Sequence, residues 1–539
     1  MRDGDLLDEP YDSISASNRL RLSLFRDSHD ELDHSGLCDK LCEETAGETM
    51  SGNLQKEEPT GNSRDHCDPL TLEQFRERVR PCSDVMEQTV HIGGSRKREA
   101  YIFYCDGLID SQMYHLGLLP TLEKWKETPE SPLSPEISQA EHPSRIFVSL
   151  DARDHDHIYA RLFAGSVIIA FSEEEGFYEC NIANQPARTP EESSMEVSLK
   201  GPRDGFVEQL SINIALVRKR LRTPNLHIEY HKIGSETQTE IALMHMEGQA
   251  PPGLIDEVRR RIRSLDLPSL NGAGELEERL ADQPLALFPL MDYVGRPDYV
   301  VQSLMKGRFS ILVDGSPAAL IGPGNLLLLI KSPEDSHLPF YYVTLERLLR
   351  ILGLLLSLFL PGFWVALSSF NTDQVPFTLL ATVTISRIGL PLSATMEMFL
   401  MLTLFEVFRE AGVRLPRPVG QTVSVVGGLI IGDAAIRAGM TSPTMLVVAA
   451  VSAVSTFTLV NQSLAGSVTL FRIFILMLSS VLGMFGFFAG MFALLLYMCS
   501  LESFGQPYLQ PIAPLRIKDI VASLIQKPWD LRTNRRKRP

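Results

Sequence analysis

The sequence predicts an α/β plus membrane-α protein, in which a soluble N-terminal head of two tandem, related α/β subdomains precedes a polytopic transmembrane helical domain. Composition changes near residue 345, and the segments after it are mostly apolar. The run LLRILGLLLSLFLPGFWVAL begins at Leu348, and FRIFILMLSSVLGMFGFFAGMFALLLYMCS begins at Phe471. Each exceeds or matches the roughly 20 apolar residues that cross a hydrocarbon core. Because lipid offers no water to unpaired backbone groups, these segments should be helical.

Charge follows the same division. The formal net charge is −15, yet basic residues outnumber acidic ones from Leu345 onward, so the head carries all of the negative excess. A head this acidic lacks the basic patches that phosphate contacts require, which excludes nucleic acid as a partner. Basic residues beside the apolar segments instead predict a membrane, with its lipid as a partner.

The N-terminus and the cysteines indicate a cytosol-like compartment. The chain starts MRDGDLLDEP, without the basic and apolar regions of a secretory signal, so the head is expected on the cytosolic side. Seven irregularly spaced cysteines predict reduced thiols. Solvated side chains are favoured over a metal site, because compact zinc spacing is missing from the candidate ligands His29, His34, Cys38, Cys42, His66 and Cys67.

The predicted head has three parts. Residues 1–85 form an acidic extension that buries too little apolar surface to offset its ordering entropy, and they should be disordered. Residues 86–195 and 196–340 are predicted as subdomains 1 and 2, because strand and helix patterns recur with nearly equal glycine spacing: Gly107 to Gly165, then Gly248 to Gly307. A chance match of pattern is the alternative.

A predicted helix between the subdomains carries a basic face. The segment Met195–Leu226 places apolar residues at helical spacing, opposite Arg218, Lys219, Arg220 and Arg222. Two interpretations stay open at this point: the face is solvated, or it contacts the acidic remainder of the head or a membrane surface.

The transmembrane domain, residues 345–515, contains five predicted apolar stretches, at about 345–369, 388–408, 419–438, 442–464 and 470–500. The basic tail, residues 516–539, ends TNRRKRP and should be cytosolic like the head. Both ends on one side require an even number of crossings. One of the middle stretches is therefore predicted to lie in the interface or to re-enter.

Several ionisable residues fall within these stretches. Glu397 and Glu406 lie in the second, and Asp433 and Arg437 stand four residues apart in the third. Ionisable groups at membrane depth usually face a bundle interior, a partner or a water-filled path. Asp433 and Arg437 therefore form either a structural pair or part of a conduction path. Arg472, which opens the last stretch, is expected to snorkel to the interface.

No catalytic or cofactor motif is present. The P-loop, HExxH, GxSxG and GxGxxG patterns are all missing from their required contexts, so the sequence predicts no enzymatic activity, no cofactor and no metal. Asp106, Glu247 and Asp314 end strands next to glycine, as turn residues commonly do.

Long motifs resemble one family. They are KGPRDGFVEQLSINIALVRKRL, RPDYVVQSLMKGRFSILVDGSP, GQTVSVVGGLIIGDAAIRAG and SFGQPYLQPIAP. Together they resemble the A subunits of the GerA-type spore germination receptors over residues 86–532. The resemblance implies the inner membrane of the spore, with a multispanning B subunit that binds the germinant, a lipoprotein C subunit, and further copies of the A subunit.

The resemblance also implies a role for the glycine-rich stretch. A subunits of this family are understood to oligomerise into a ligand-gated cation channel, whose pore that helix would line. The implied lining residues are Gly420, Val423, Val426, Gly428, Ile430, Asp433 and Arg437. Two alternatives are a membrane scaffold that conducts nothing and an accessory germination protein like SpoVAF.

Overall fold

A computed structural model describes residues 69–92, 98–124, 147–171, 176–185, 198–414 and 432–528. These residues belong to one compact unit, His66–Pro539. Most of the predicted extension lies outside them, including the candidate metal ligands up to Cys67.

The first part of the head is an antiparallel five-stranded sheet with the strand order β1-β2-β4-β5-β3. Its strands are β1 Val85–Ile92, β2 Arg98–Cys105, β3 Phe147–Leu150, β4 Ser166–Phe171 and β5 Phe177–Asn181. Its helices are α1 Leu72–Val79, α2 Leu119–Lys124, which continues a π-helix at Met113–Leu118, and α3 His155–Leu162.

The second part has the same strand order, β6-β7-β9-β10-β8, and is also antiparallel. Its strands are β6 Leu226–Ile233, β7 Thr239–Met246, β8 Asp292–Val294, β9 Phe309–Val313 and β10 Ala319–Gly322. Its helices are α4 Leu210–Arg218, α5 Leu254–Ser264, α6 Ala273–Leu280, α7 Pro297–Leu304 and α8 Leu326–Leu329.

Glycine geometry is repeated between the two parts. Gly165 and Gly307 have φ angles of 98° and 83°, in the left-handed region that favours glycine. A Cβ on Gly165 would collide with the carbonyl oxygen of Leu108, and one on Gly307 with that of Gln249. Gly165 precedes β4 and Gly307 precedes β9, and each of these strands is the central one of its sheet. The two glycines therefore have equivalent places in the topology, in line with their regular spacing in the sequence.

The folded head starts before residue 86. Helix α1 begins with a capping box between Thr71 and Gln74, which pairs two backbone N–H groups that the helix leaves free. It buries Phe75, whose ring lies 5.0 Å from that of Phe103 and 5.4 Å from that of Tyr159. Residues 69–85 are thus part of the first core and not of the extension.

The basic face of α4 is not solvated at Arg218. This side chain is fully buried, and its Nε and Nη2 donate to Asp84 over 2.8 and 2.6 Å. Arg220 likewise donates to Asp204 over 2.5 Å. The interpretation that this face contacts acidic residues of the head is therefore correct for these two arginines.

Helices follow the head. They are α9 Phe340–Ser369, α10 Phe377–Arg387, α11 Ala394–Arg414, α12 Gly432–Arg437, α13 Pro443–Thr456 and α14 Gln462–Ser500. A short ribbon of β11 Glu502–Ser503 and β12 Gln506–Pro507 precedes α15 Ile517–Leu524. Among the described residues, α9 and α14 are long and apolar enough to cross a bilayer. The α/β head followed by helices is confirmed, and the multi-pass arrangement stays a prediction.

Helix α14 is a hairpin. A continuous helix would separate Phe471 from Tyr497 by roughly 39 Å, yet their ring centroids lie 5.6 Å apart. The chain reverses at Gly483, whose φ of 63° and ψ of −139° are not helical. Gly486 then packs on the backbone of Leu478 from the opposite arm. Helix α14, which contains the last predicted stretch, 470–500, is therefore two antiparallel arms, 462–482 and 484–500.

Substituting Gly483 by Ala should destabilise the hairpin, because a Cβ is strained at this φ and would also meet the side chain of Phe370. We expect a loss of about 1–3 kcal/mol, read as a lower Tm in detergent. Gly466→Ala is the matched control, since Gly466 lies in the same element with no atom in the way of a Cβ. Equal Tm values for the two variants would contradict the reversal at Gly483.

Candidate functional site: polar groups of the helical region and its junction with the head

Glu397 ties three helices together. It is fully buried, and its Oε2 accepts from the backbone N–H and the hydroxyl of Ser442 over 3.1 and 3.2 Å. Ser442 is the N-cap of α13, so the carboxylate lies at the positive end of that helix. The other oxygen lies 3.3 Å from Nη2 of Arg387, at the end of α10. One carboxylate of α11 thereby fixes α10 and α13.

Glu406, which follows Glu397 further along α11, forms a second cluster. It pairs with Arg409 on its own helix and, across 3.4 Å, with Nη2 of Arg472 on α14. Arg472 is only 3% exposed and also donates to Thr456 over 3.3 Å. The expectation that Arg472 snorkels to an interface is wrong, because a carboxylate and a hydroxyl inside the helical region receive its guanidinium.

Asp433 and Arg437 form an ion pair within α12. Arg437 Nε lies 2.8 Å from Asp433 Oδ2, and both side chains are exposed. The intrahelical pair is thus present, and its role in a conduction path stays a prediction. The other predicted pore-lining residues lie outside the described part of the chain: Gly420, Val423, Val426, Gly428 and Ile430. Their role stays a prediction.

A buried hydrogen bond joins the head to the hairpin. Asn461, the N-cap of α14, donates from Nδ2 to Oδ1 of Asp292 in β8 over 2.8 Å, while its own Oδ1 accepts from Leu464 N. The second arm also returns to the head, where the hydroxyl of Tyr497 accepts from the backbone N–H of Leu287 over 2.8 Å. Both ends of the hairpin are therefore bonded to the second subdomain.

Ionisable groups at this junction have shifted pKa values. Burial raises the pKa of Asp292 to about 6 against the hydrogen bond from Asn461. Burial and the nearby Asp292 raise the pKa of Glu277 to about 7. Burial, with neighbouring cations, lowers the pKa of Lys331 to about 7. Asp292 and Lys331 line a cavity of about 250 Å³ beside Asn461.

Basic residues at the start of α9 anchor it to the segment before it. Asp335 accepts from Arg347 and Arg350, each over 2.8 Å, and Arg347 also donates to the carbonyl of Ser523 in α15 over 2.9 Å. Gln526 returns a bond to Thr344 of α9. The end of α9 that adjoins the head is thus held by charge-assisted bonds.

The sequence pointed to Glu397, Glu406 and Arg472, since ionisable residues stand out in apolar runs. It did not point to Arg387, Asp292 or the N-cap residues Ser442 and Asn461. Their only local signal is an Asn or Ser at the start of a helix, which predicts a cap but not its distant partner.

The chain belongs to the Bacillus/Clostridium GerA spore germination protein family, whose model matches residues 73–538. The resemblance drawn from the motifs is thereby confirmed, and the matched region begins within α1.

Individual relatives agree. The chain is 39% identical to spore germination protein XA of Bacillus anthracis over 81% of its own length and 88% of the relative. It is 33% identical to spore germination protein KA of Bacillus subtilis strain 168, over 85% and 84%. The crystal structure of the N-terminal domain of the A subunit of the Bacillus megaterium spore germinant receptor GerK3 aligns with 47% of this chain and 95% of that chain, at 26% identity and a TM-score of 0.35.

Asp292→Asn should stabilise the protein at neutral pH. A carboxyl whose pKa is raised from 3.8 unfolded to about 6 folded lowers stability as pH rises between those values, and the loss is constant above them. Asparagine keeps the acceptor for Asn461 without the charge. The Tm of the variant should exceed that of the parent at pH 7.5, by the equivalent of about 1–3 kcal/mol, and approach it near pH 4.

Asp256→Asn is the control, because this carboxylate is 79% exposed in a surface pair. It should show no comparable pH-dependent gain. An Asp292→Asn variant that is less stable than the parent at pH 7.5 would show that the charged form is favoured at the junction.

Proposed function

We propose that this chain is the A subunit of a nutrient germinant receptor in the inner membrane of the spore, where copies of it assemble into a ligand-gated cation channel that triggers germination. Family membership supports the germination role. The proposed partners are a multispanning B subunit, a lipoprotein C subunit and membrane lipid. We propose that the head and the tail lie on the core side of this membrane.

The observation that carries this proposal is the bonded junction between head and helices. Asp292 of the head holds the N-cap of α14, and Leu287 holds its returning arm. A movement of the head would therefore displace both ends of a long apolar hairpin. This is the mechanical connection that a receptor needs between a soluble domain and a membrane path.

The hairpin also supports the proposed topology. If 462–482 and 484–500 each cross the membrane, the last stretch contributes two crossings. With one crossing from each of the other four stretches, the number of crossings is even. The basic tail and the acidic head then lie on the same side, as the charge distribution favours.

A non-conducting scaffold is the second candidate, and a specific observation favours it. Glu397 pairs with Arg387 and Ser442, and Glu406 pairs with Arg472, so these groups have partners on neighbouring helices among the described residues. In a scaffold, such pairs only fix the packing of helices.

Cation flux distinguishes the two candidates. Val426→Trp places a large ring in the predicted pore helix, so efflux of rubidium from liposomes containing the assembled receptor should fall several-fold after germinant addition. Val481→Trp is the matched control, because Val481 is 74% exposed near the tip of the hairpin. Equal flux in both variants, with intact assembly, would remove residues 420–439 from the conduction path and favour the scaffold.

A further inference from the structure

A cavity of about 350 Å³ lies at the end of α9 remote from the head, between α9 and α10. Arg347 anchors the near end of α9 at Asp335, and Trp364 stands roughly 25 Å further along the axis. Apolar side chains form much of the wall, chiefly Leu380, Val383 and Leu392. The volume is within the range of small-molecule sites in proteins.

Two buried hydrogen-bond donors of α9 belong to the lining of this cavity. Trp364 Nε1 and Ser368 Oγ are shielded from solvent and have no hydrogen-bond partner among the described residues. They stand four residues apart, on one face of the helix. An indole N–H can only donate, and a buried donor without an acceptor costs about 1–3 kcal/mol. The pair therefore fits an acceptor that occupies the cavity.

Arg387 adds a positive charge to the same lining. Its guanidinium makes one ion pair in the described part of the chain, the 3.3 Å contact with Glu397, and it carries five N–H donors. Thr372 and Thr384 are the other described lining residues with a polar side chain. Among the described lining residues none is a carboxylate, so the cavity combines N–H and O–H donors with apolar side chains, and its charged group, Arg387, also pairs with Glu397 outside the lining.

We propose that this cavity binds the oxyanion group, carboxylate or phosphate, of a small amphiphilic molecule. The oxyanion accepts from Trp364, Ser368 and Arg387, and the apolar body lies against Leu380 and Val383. Either a free amphiphile or the phosphate of a lipid headgroup has this chemistry. This proposal does not depend on the conduction path proposed above.

Binding here also reaches the first carboxylate cluster. Arg387 lines the cavity and also pairs with Glu397. Glu397 in turn accepts from the backbone N–H of Ser442 at the N-terminus of α13. An oxyanion that draws the guanidinium towards the cavity weakens its pairing with Glu397. Occupancy is thereby coupled to the N-terminus of α13.

Trp364 itself reports occupancy. The chain has three tryptophans, and Trp125→Phe with Trp529→Phe leaves Trp364 as the sole fluorophore. The full chain carrying both changes, in uncharged detergent, is titrated with sodium octanoate, octyl phosphate and octanol. We expect a saturable change in emission with both anions, at concentrations about tenfold lower than any response to octanol.

Side-chain variants assign the response to the cavity. In the same background, Ser368→Ala and Arg387→Lys should each weaken binding of octyl phosphate about tenfold. Ser480→Ala, on the exposed side of α14, is the matched control and should leave it unchanged. A response that does not saturate, that octanol reproduces, or that both lining variants leave intact would overturn the proposal.

Nanodiscs identify the source of the oxyanion. Phosphatidylcholine nanodiscs offer a lipid phosphate without net charge, and they are compared with the uncharged detergent. If the nanodiscs weaken octyl phosphate binding relative to detergent, the cavity holds a lipid headgroup; if binding is equal, the cavity takes a free amphiphile. Both results support an oxyanion site, and absence of saturable binding in detergent contradicts it.

Discussion

Pairing of charge inside an apolar bundle is the constraint on which the helical region depends. A carboxylate removed from water is stable only when donors surround it. Glu397 meets this requirement in two ways: its Oε2 accepts hydrogen bonds at the N-terminus of α13, and its Oε1 forms an ion pair with Arg387 at 3.3 Å, without a hydrogen bond among the described residues. Three helices must therefore approach the same point, and their packing follows from one side chain. Glu406 and Arg472 form a second pair, in which the guanidinium is buried and the carboxylate is partly exposed.

The two ends of α9 face different chemistry. The end next to the head is closed by Asp335 and its arginines, in a fully bonded network. The other end keeps donors of Trp364 and Ser368 without acceptors in the described residues. The polar groups at the first end of α9 have hydrogen-bond partners and serve as a structural attachment. The unpaired donors at the other end belong to the proposed oxyanion site. Arg387 links the second place to the packing of the bundle.

Patterns that are local in sequence were readable, and distant pairings were not. The strands and the regular glycines of the head follow from period-two apolar runs and from turns that need positive φ, so the α/β class was predictable. The reversal at Gly483 was missed, because one glycine in a long apolar run changes neither its length nor its hydrophobicity. Arg218 shares a charged run with Lys219, Arg220 and Arg222, and only the fold brings it to Asp84. Asp292 and Asn461 meet only through the tertiary structure.

The buried pair of Arg218 and Asp84 has a consequence for motion. Asp84 precedes the first sheet and Arg218 ends the helix that leads to the second, and breaking such a pair costs about 3–5 kcal/mol. Relative sliding of the two halves would break this pair, and it therefore carries this free-energy cost. The buried bond between Asp84 and Arg218 thus favours movement of the two halves of the head together rather than past each other.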